Sequence, residues 1–250
     1  MYDIERQNKI YEYLREHKSA SVEELSKLFY SSLSTIRRTL THMENMGLIQ
    51  RTHGGAVFTD KSNEVSILVR QTRNIKEKEA VADIALKYIP EYSSIFLDNS
   101  STVLTLAKKM SFSGKTVFTN SLQIAMEIFH KNEGKVFLFG GEVNFSLLDV
   151  TGAMTCRSIH NFHYDLLLCS CAAMNEQGSF ENPFNTADVK QAAMQNASKK
   201  MLVFGKSKID TTATIHTAKL SDYDIIVSDI DEATIQKYHS LHEGIVIHNQ

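Results

Sequence analysis

Apolar residues in the first thirty positions recur at helical spacing and predict two short helices. The first covers residues 4–17 and supports the second. The second begins at Ser21, because Ser21 and Glu24 have the spacing of a capping box. In this motif the serine side chain accepts from the backbone amide of the glutamate, and the glutamate side chain accepts from the backbone amide of the serine. Its apolar face consists of Val22, Leu25, Leu28 and Phe29.

A third helix is predicted after a break at residues 30–31. Ser32 can cap its first turn, and Gly47 supplies a left-handed stop after Met46. Its apolar positions, at i, i+4 and i+7, are Ile36, Leu40 and Met43. The opposite face therefore turns outward and carries hydrogen-bonding and cationic groups suited to a DNA major groove. These groups are Ser34, Arg38, Thr41 and Asn45, with Arg37 at the edge.

Residues 48–58 predict two short strands around a turn, a wing that brings Arg51 and His53 near phosphate or the minor groove. A pair of arginines alone usually only solvates a helix surface. A helix, a turn, a second helix and a wing in sequence favour nucleic-acid binding instead. The predicted DNA-contacting residues are Ser32, Ser34, Thr35, Arg37, Arg38, Thr41, Asn45, Arg51 and His53.

From Lys76 onward, strand-length apolar runs alternate with helical segments. The predicted strands lie within 94–98, 116–119, 135–139, 165–170, 201–204, 224–228 and 244–248. The predicted helices between them are 102–110, 121–130, 152–161, 186–200 and 231–240. Apolar runs without polar alternation predict a mostly parallel sheet covered by helices on both faces. Ligands of such sheets bind beyond the carboxyl ends of the strands.

Three of these strand ends carry groups suited to an anion. Asn99–Thr102 follow the first strand, Asn120 and Ser121 follow the second, and Gly140 and Gly141 follow the third. Each loop taken alone is explained by ordinary helix capping. Three such loops at one edge, two of them entering helices, predict an oxyanion or phosphate pocket.

Composition limits the classes of protein that fit. A chain of 250 residues allows one large domain or two ordinary ones. A net charge of −2 excludes a uniformly basic coat, although between Lys27 and Gly55 four cationic side chains face one carboxylate. A basic patch of that size suffices to contact one half-site of a DNA sequence, and a single copy would bind weakly. A homodimer or homotetramer is therefore expected.

The N-terminus is charged, and no apolar run approaches about 18 residues, so we expect a cytoplasmic protein without a membrane segment. The three cysteines fit a reducing compartment. Cys169 and Cys171, with His160 and His163, match no standard zinc spacing, so we predict core cysteines, no metal and no cofactor.

The motifs TIRR at Thr35–Arg38 and RTHGGA at Arg51–Ala56, with Leu40, Glu44 and Gly47 between them, resemble the DeoR family of bacterial transcription regulators. The chain departs from that family where Tyr30-Ser31 replaces Gly-Val and where Thr39 replaces Asp after the arginine pair. The second departure is expected to alter contacts of the recognition helix.

The second half resembles the sensor domain of the same family, whose fold is similar to that of sugar-phosphate isomerases. The matching positions are Asn74, Lys78, Asp98–Thr102, Thr119–Ser121, Gly140, Gly141, Asp165, Gly178, Lys190, Lys208 and Asp229. The resemblance implies a phosphorylated sugar or similar metabolite as effector. The implied effector-binding residues are Asp98, Asn99, Ser100, Ser101, Thr102, Asn120, Ser121, Gly140, Gly141, Lys190 and Lys208, with positive charge from the two lysines. The chain departs from the family at two loops that usually carry glycines, where it has Asn99–Ser101, Ser170 and Ala173. It also has Gly205 where the family usually has aspartate.

The sequence thus predicts an N-terminal winged helix-turn-helix domain, mainly α, at residues 1–58. A linker follows at 59–75. A C-terminal α/β Rossmann-like domain that resembles sugar-phosphate isomerases occupies 76–250. The favoured function is a repressor that binds an operator in double-stranded DNA and responds to a small-molecule effector. A sugar-phosphate isomerase and a constitutive DNA-binding protein with a vestigial pocket are the alternatives.

Overall fold

The computed structural model describes residues 3–45, 48–58, 66–241 and 247–249. The chain divides into two compact units. The first is Met1–Arg73 with Phe145–Leu147, and the second is Asn74–Asn144 with Leu148–Gln250. Among the described residues, none of the helices has the length and apolar character needed to cross a membrane.

The first unit is a winged helix-turn-helix. Its helices are α1 (Asp3–His17), α2 (Val22–Leu28), α3 (Leu33–Asn45) and α4 (Ile67–Thr72). Its strands are β1 (Ser19–Ser21), β2 (Ile49–Arg51) and β3 (Gly55–Phe58), which form an antiparallel sheet in the order β1-β3-β2. The winged fold predicted from the sequence is therefore confirmed.

The apolar stripe of α3 forms the centre of the first unit's core. Ile36, Leu40 and Met43 are fully buried and pack with residues of α1 such as Ile10 and Leu14. Leu28 was predicted to belong to the apolar face of α2, and this prediction is wrong. Its side chain is 45% exposed because it lies in the last turn of α2, beside the exposed turn to α3.

Strand β1 has no counterpart in the sequence prediction. It spans three residues and ends at Ser21, which also caps α2 through the capping box with Glu24. A three-residue strand carries too little alternation to be detected by its pattern. The predicted helix stop at Met46 and Gly47 lies outside the described residues.

The predicted linker contains regular structure. Residues 66–73 are described, and Ile67–Thr72 within them form α4, with Ile67 and Val69 buried. The amide of Ile67 donates to the carbonyl of Ser146 at 3.0 Å, within the first unit. Six residues are too few to reveal a helical period. The first part of the linker, residues 59–65, lies outside the described residues.

The second unit begins with α5 (Ile75–Ala85) and is built on a parallel sheet. Its other helices are α6 (Ser101–Lys109), α7 (Leu122–Lys131), α8 (Ala153–Ile159), α9 (Phe184–Gln195) and α10 (Glu232–Leu241). Its strands are β4 (Ser94–Leu97), β5 (Thr116–Thr119), β6 (Lys135–Leu138), β7 (Glu142–Asn144), β8 (Asp149–Thr151), β9 (Tyr164–Cys169), β10 (Ala173–Asn175), β11 (Gly178–Glu181), β12 (Ala197–Phe204), β13 (Ile215–Ala218), β14 (Ile225–Ser228) and β15 (Ile247–His248).

Seven strands form the main sheet in the order β15-β14-β12-β9-β4-β5-β6, and all six pairs are parallel. The α/β fold predicted from the sequence is confirmed. From β4 the chain winds outward to β5 and β6, then returns to β9 on the other side of β4. The crevice at the carboxyl ends of β4 and β9 is therefore the topological switch point, where open parallel sheets bind their ligands.

Three details of this unit differ from the prediction. The helix predicted to reach Lys200 ends at Gln195, and residues 197–200 begin β12. The first residues of this strand are mostly polar, so their pattern resembles that of a helix. Strand β6 is an edge strand whose central side chains are 36–46% exposed. The hairpins β7-β8 and β10-β11 and the strand β13 are not predicted, because each is only three or four residues long. Residues 244–246 of the last predicted strand lie outside the described residues.

Candidate DNA-binding and effector sites

Ser32 organises the start of the recognition helix α3. The amide of Thr35 donates to Ser32 Oγ at 3.2 Å, which is the expected cap. The same hydroxyl oxygen lies 2.9 Å from Ser34 Oγ and 2.8 Å from Thr35 Oγ1. Three hydroxyl groups thus share one small network at the helix N-terminus, where they can reach phosphate or base edges.

The outward face of α3 is polar and largely exposed at the positions whose side chains are described. Exposed side chains lie opposite the buried stripe, while Thr35 is half-buried. The exposed members of the predicted DNA-contacting set on α3 are Ser32, Ser34, Arg37, Arg38 and Thr41. The side chain of Asn45 lies outside the described set. This face matches a helix that enters a major groove.

Arg51 of the wing is joined to α3. Its guanidinium Nη1 donates to Thr41 Oγ1 at 2.9 Å, and its backbone amide donates to Glu44 Oε1 at 2.7 Å. Thr41 Oγ1 in turn donates to the carbonyl of Arg37 at 3.0 Å. The wing is therefore fixed against the recognition helix, whereas His53 lies exposed in its turn.

Thr39 does not belong to the outward face, which corrects the expectation that it alters recognition. It is 4% exposed, and its hydroxyl accepts a hydrogen bond from Arg6 Nε at 3.2 Å. Arg6 lies on α1 and is itself buried. The physical reason is helical periodicity, since Thr39 lies next to Leu40 and three residues after Ile36. This position holds α1 against α3.

Asp98 occupies the switch point of the sheet. One carboxylate oxygen, Oδ1, accepts from the amide of Ser100 at 3.0 Å. The other, Oδ2, accepts from the amide of Ser170 at 2.9 Å. Asp98 thereby joins the loop after β4 to the loop after β9, across the crevice between the two strands.

Lys190 of α9 lies beneath the same crevice and is 2% exposed. Its ammonium group donates to the carbonyl of Ser170 and to Glu181 Oε1, and lies 3.2 Å from Asp98 Oδ2. Burial alone would lower the pKa of Lys190, but the carboxylates of Glu181 and Asp98 outweigh it and hold the pKa well above its usual value. Since an ammonium has three donors, Lys190 has none left for a ligand. It positions the site, contrary to the expectation that it contributes charge directly.

Two serines at the strand ends cap helices. Ser100 Oγ accepts from the amide of Val103 at 3.1 Å, at the start of α6. Ser121 Oγ accepts from the amide of Ile124 at 3.3 Å, at the start of α7. Ser101 and Thr102 are buried within the first turn of α6. The ordinary capping role is thus present in both loops, and it directs both helix N-termini toward the carboxyl edge of the sheet.

The hairpin β7-β8 closes over these loops. Asn99 Nδ2 donates to Asp149 Oδ2, and Asn120 Nδ2 donates to the carbonyl of Val150 at 3.1 Å. The amide of Val150 returns a bond to the carbonyl of Asn120 at 2.8 Å. Asn99 and Asn120 are buried, and Asn120 Oδ1 has no hydrogen-bond partner among the described residues. The side-chain oxygen of Asn120 is therefore an acceptor in need of a donor.

Gly141 fits a place that no side chain could occupy. A Cβ atom there would lie 2.1 Å from Thr155 Oγ1 and 2.7 Å from the carbonyl oxygen of Thr151, and its φ is +156°. Its neighbour Gly140 is exposed, and a Cβ there would meet nothing within 4 Å. Of the two predicted glycines, only Gly141 lies where a Cβ atom would clash. The lack of a side chain at Gly141 allows the loop after β6 to approach α8.

Lys208 lies in the loop after β12 and is half-buried. Burial raises the pKa of the nearby Cys171 thiol to about 12, and the ammonium groups of Lys190 and Lys208 oppose this rise. The residue after Lys208, Ile209, forms an isolated parallel bridge with Met174 of β10, the strand that follows the loop after β9.

Glu77 fills the space beside Gly205, the position where the family resemblance leads one to expect aspartate. A Cβ at Gly205 would lie 1.9 Å from Glu77 Oε1, so this carboxylate fills the space of a side chain. Glu77 Oε1 accepts from both the amide and the hydroxyl of Ser207, at 2.9 and 2.7 Å. Asn74, which precedes α5, donates to Ser207 Oγ at 3.1 Å. A carboxylate from α5 thus substitutes for one from the loop.

The cysteines lie in the core, as predicted. Cys169 and Cys171 are buried and pack in one apolar cluster. The His160 ring bonds Asn196, and the His163 ring bonds Ser198. The described residues contain no group of three or more His, Cys, Asp or Glu side chains arranged to hold a metal ion.

Sequence reasoning missed three carboxylates of this edge: Glu77, Asp149 and Glu181. Asp149 and Glu181 lie on short strands that the pattern does not predict, and Glu77 lies on a helix remote in sequence. Only Glu181 could have been suspected from the sequence, because a lysine that is buried, as Lys190 is, requires a carboxylate partner.

Two protein families match separate parts of the chain. The DeoR-like helix-turn-helix domain matches residues 6–62, and the DeoR C terminal sensor domain matches residues 73–230. The chain belongs to the DeoR family. It is a DNA-binding transcription regulator, as the sequence motifs predicted.

Three relatives of this DeoR-family chain align over almost its entire length. The HTH-type transcriptional regulator GolR of Listeria innocua is 33% identical and is matched over 95% of this chain and 96% of its own. The transcriptional repressor AccR of Agrobacterium fabrum is 31% identical, over 92% and 91%. The glycerol-3-phosphate regulon repressor of Escherichia coli is 29% identical, over 92% of each chain.

Two solved structures resemble part of the DeoR-family chain at low sequence identity. A D-ribose-5-phosphate isomerase in complex with phospho-erythronic acid is 12% identical, with a TM-score of 0.41 over 54% of each chain. The eIF2B delta protein of Chaetomium thermophilum is also 12% identical, with a TM-score of 0.41 over 71% of this chain and 56% of its own.

Proposed function

We propose that the chain is a repressor that binds its operator through α3 and the wing and responds to a phosphorylated sugar or a related metabolite. The observation that carries this proposal is the division of α3 into two faces. Its apolar stripe is fully buried, and the opposite face carries exposed hydroxyl and guanidinium groups. Arg38 is the best candidate for a base contact, because a guanidinium can bond a guanine edge with two donors.

The switch-point loops support an anionic effector with hydroxyl groups. The N-termini of α6 and α7 direct positive partial charge toward the carboxyl edge of the sheet. Lys208 supplies the cation there, since Lys190 is committed to Asp98 and Glu181. Asn120 Oδ1 is an acceptor suited to a sugar hydroxyl. An amide acceptor beside a cationic, amide-rich loop favours a polyol phosphate over inorganic phosphate alone.

The name of one relative supports this class of effector, since that relative is a glycerol-3-phosphate regulon repressor. For this chain we infer control of a carbohydrate-metabolism operon. A homodimer or homotetramer in the cytoplasm is part of the proposal, because a single winged module reads only one half-site.

An isomerase is disfavoured by the same geometry. Isomerisation through an enediol needs a carboxylate free to remove a proton. Asp98 already accepts two backbone amides and pairs with Lys190. The residues between β9 and β10 are Ser170, Cys171 and Ala172, none of which supplies a carboxylate base.

A thermal-shift panel tests the effector. Purified protein is heated with sugar phosphates, the matching free sugars and inorganic phosphate, each at saturating concentration. Occupancy at one hundred times Kd stabilises by about 2.7 kcal/mol, which raises Tm by several degrees. We expect a rise with a phosphorylated sugar that its free sugar does not produce, and a smaller rise for Lys208→Ala. No rise with any phosphorylated compound would leave constitutive DNA binding as the better account.

A further inference from the structure

Tyr30 has an unusual backbone conformation for its residue type. It follows α2, after the cap residue Phe29, and its φ is +47°. This left-handed region is rare for residues other than glycine, asparagine and aspartate, because Cβ approaches the following carbonyl oxygen. The side chain of Tyr30 is also 96% exposed. An aromatic ring in water and a strained backbone together cost stability at one position.

The surrounding bonds fix this conformation. The amide of Ser31 donates to the carbonyl of Ser26 at 3.1 Å, which is the bond that closes a Schellman motif at a helix end. Ser26 Oγ donates to the carbonyl of Ser31 at 2.6 Å. Phe29 packs inward, edge-to-face with Tyr13. The motif usually has glycine where Tyr30 lies, so the tyrosine contributes nothing to the fold that glycine would not.

The position of Tyr30 in the motif indicates what its side chain contacts. It lies two residues before Ser32, the cap of the recognition helix. In a helix-turn-helix the N-terminal end of the recognition helix enters the major groove, and the preceding helix crosses the phosphate backbone. The turn between them therefore lies at the edge of the groove. Tyrosine hydroxyls are among the groups that donate to phosphate oxygens there.

We propose that the hydroxyl of Tyr30 donates a hydrogen bond to a phosphate of the DNA backbone beside the groove that α3 enters. The proposal rests on the DNA-binding function inferred above and assigns it one further residue. No described residue bonds this hydroxyl within the chain, so it is available to an external acceptor.

Two variants separate binding from folding. Tyr30→Gly removes the side chain and relieves the strained conformation, whereas Tyr30→Phe keeps the ring and the strain and removes only the hydroxyl. We expect Tyr30→Gly to raise Tm by about 4 °C. We expect Tyr30→Phe to leave Tm unchanged. A fall in DNA affinity with either variant then cannot come from a folding defect.

DNA affinity is measured by fluorescence anisotropy on two duplexes: a site enriched by the wild-type protein from a random library, and the same site shuffled. A phosphate contact is independent of sequence, so both variants should lose affinity for both duplexes by a similar factor, about tenfold. Because the tyrosine is neutral, the slope of log affinity against log salt should not change. Arg38→Ala is the reference variant, with loss concentrated on the enriched site.

The outcomes distinguish this proposal from the function on which it rests. Wild-type affinity in both Tyr30→Gly and Tyr30→Phe would overturn the contact, and so would a loss confined to the enriched site or to Tyr30→Gly. If the wild-type protein itself shows no preference among sequences and Arg38→Ala changes nothing, the DNA-reading function fails, whatever Tyr30 does.

Discussion

At the residue scale, the position of a charge in the fold decides its role. Lys190 and Lys208 are equivalent cations in the sequence. Lys190 is buried against Asp98, Glu181 and the Ser170 carbonyl, whereas Lys208 is half-buried near the loop after β9. The first stabilises the architecture of the switch point, and we propose that the second is the cation available to a ligand.

Replacement of Lys190 by Met should destabilise the second unit by about 3–5 kcal/mol, because two buried carboxylates lose their counter-charge. Urea denaturation followed by circular dichroism measures this change. Lys208→Met is the matched control and should stay within about 0.5 kcal/mol of wild type. A stable Lys190→Met protein that has lost its response to sugar phosphates would return Lys190 to direct ligand contact.

The adjacent glycines offer a second comparison. Gly141→Ala should lower the free energy of unfolding by about 2 kcal/mol, since its Cβ would overlap Thr155 Oγ1 and the carbonyl of Thr151. Gly140→Ala should have little effect, because its Cβ would enter open space. Thermal unfolding of the two variants side by side gives the test, and equal Tm values would refute the assigned close approach.

At the element scale, α3 has two functions on opposite faces. Its buried face, with Thr39, joins α1 through Arg6, and its exposed face carries the arginines. Helical periodicity predicted this division correctly from Ile36, Leu40 and Met43. It could not identify Arg6 as the partner of Thr39, because the bond spans 33 positions and depends on how α1 packs.

Two isosteric substitutions test the faces of α3. Thr39→Val removes the acceptor of Arg6 Nε and should cost about 1–3 kcal/mol of stability with DNA affinity of the folded protein unchanged. Thr41→Val removes the hydroxyl that joins Arg51 to α3 and should weaken DNA binding with little change in Tm. Calorimetry and anisotropy together report both quantities. Weak DNA binding by a folded Thr39→Val protein would place Thr39 on the reading face.

Short elements mark the limit of prediction from the sequence. Buried strands such as β9 and β14 were identified because a short run of consecutive apolar residues is too short for a typical helix and fits a buried strand. Strands β8 and β11 are too short to show a period, yet they position Asp149 and Glu181. The loops that form the switch point were thus predictable, whereas the carboxylates opposite them required the three-dimensional fold.

At the scale of the whole molecule, a net charge of −2 coexists with a local cationic face on the helix-turn-helix. DNA affinity should therefore decrease steeply with salt, although the chain as a whole is weakly acidic. Regulation then requires that an effector bound at the switch point prefers one DNA-binding state over another, since equal preference would shift no population.

The most direct test of this account is the affinity of the wild-type protein for its enriched DNA site, measured at fixed salt with and without each saturating sugar phosphate. Coupling free energies between sites usually correspond to factors of about 5–150 in affinity. The account predicts a change of that size with at least one sugar phosphate, absent with its free sugar. Unchanged affinity across the panel would contradict effector control and leave a regulator that binds DNA constitutively.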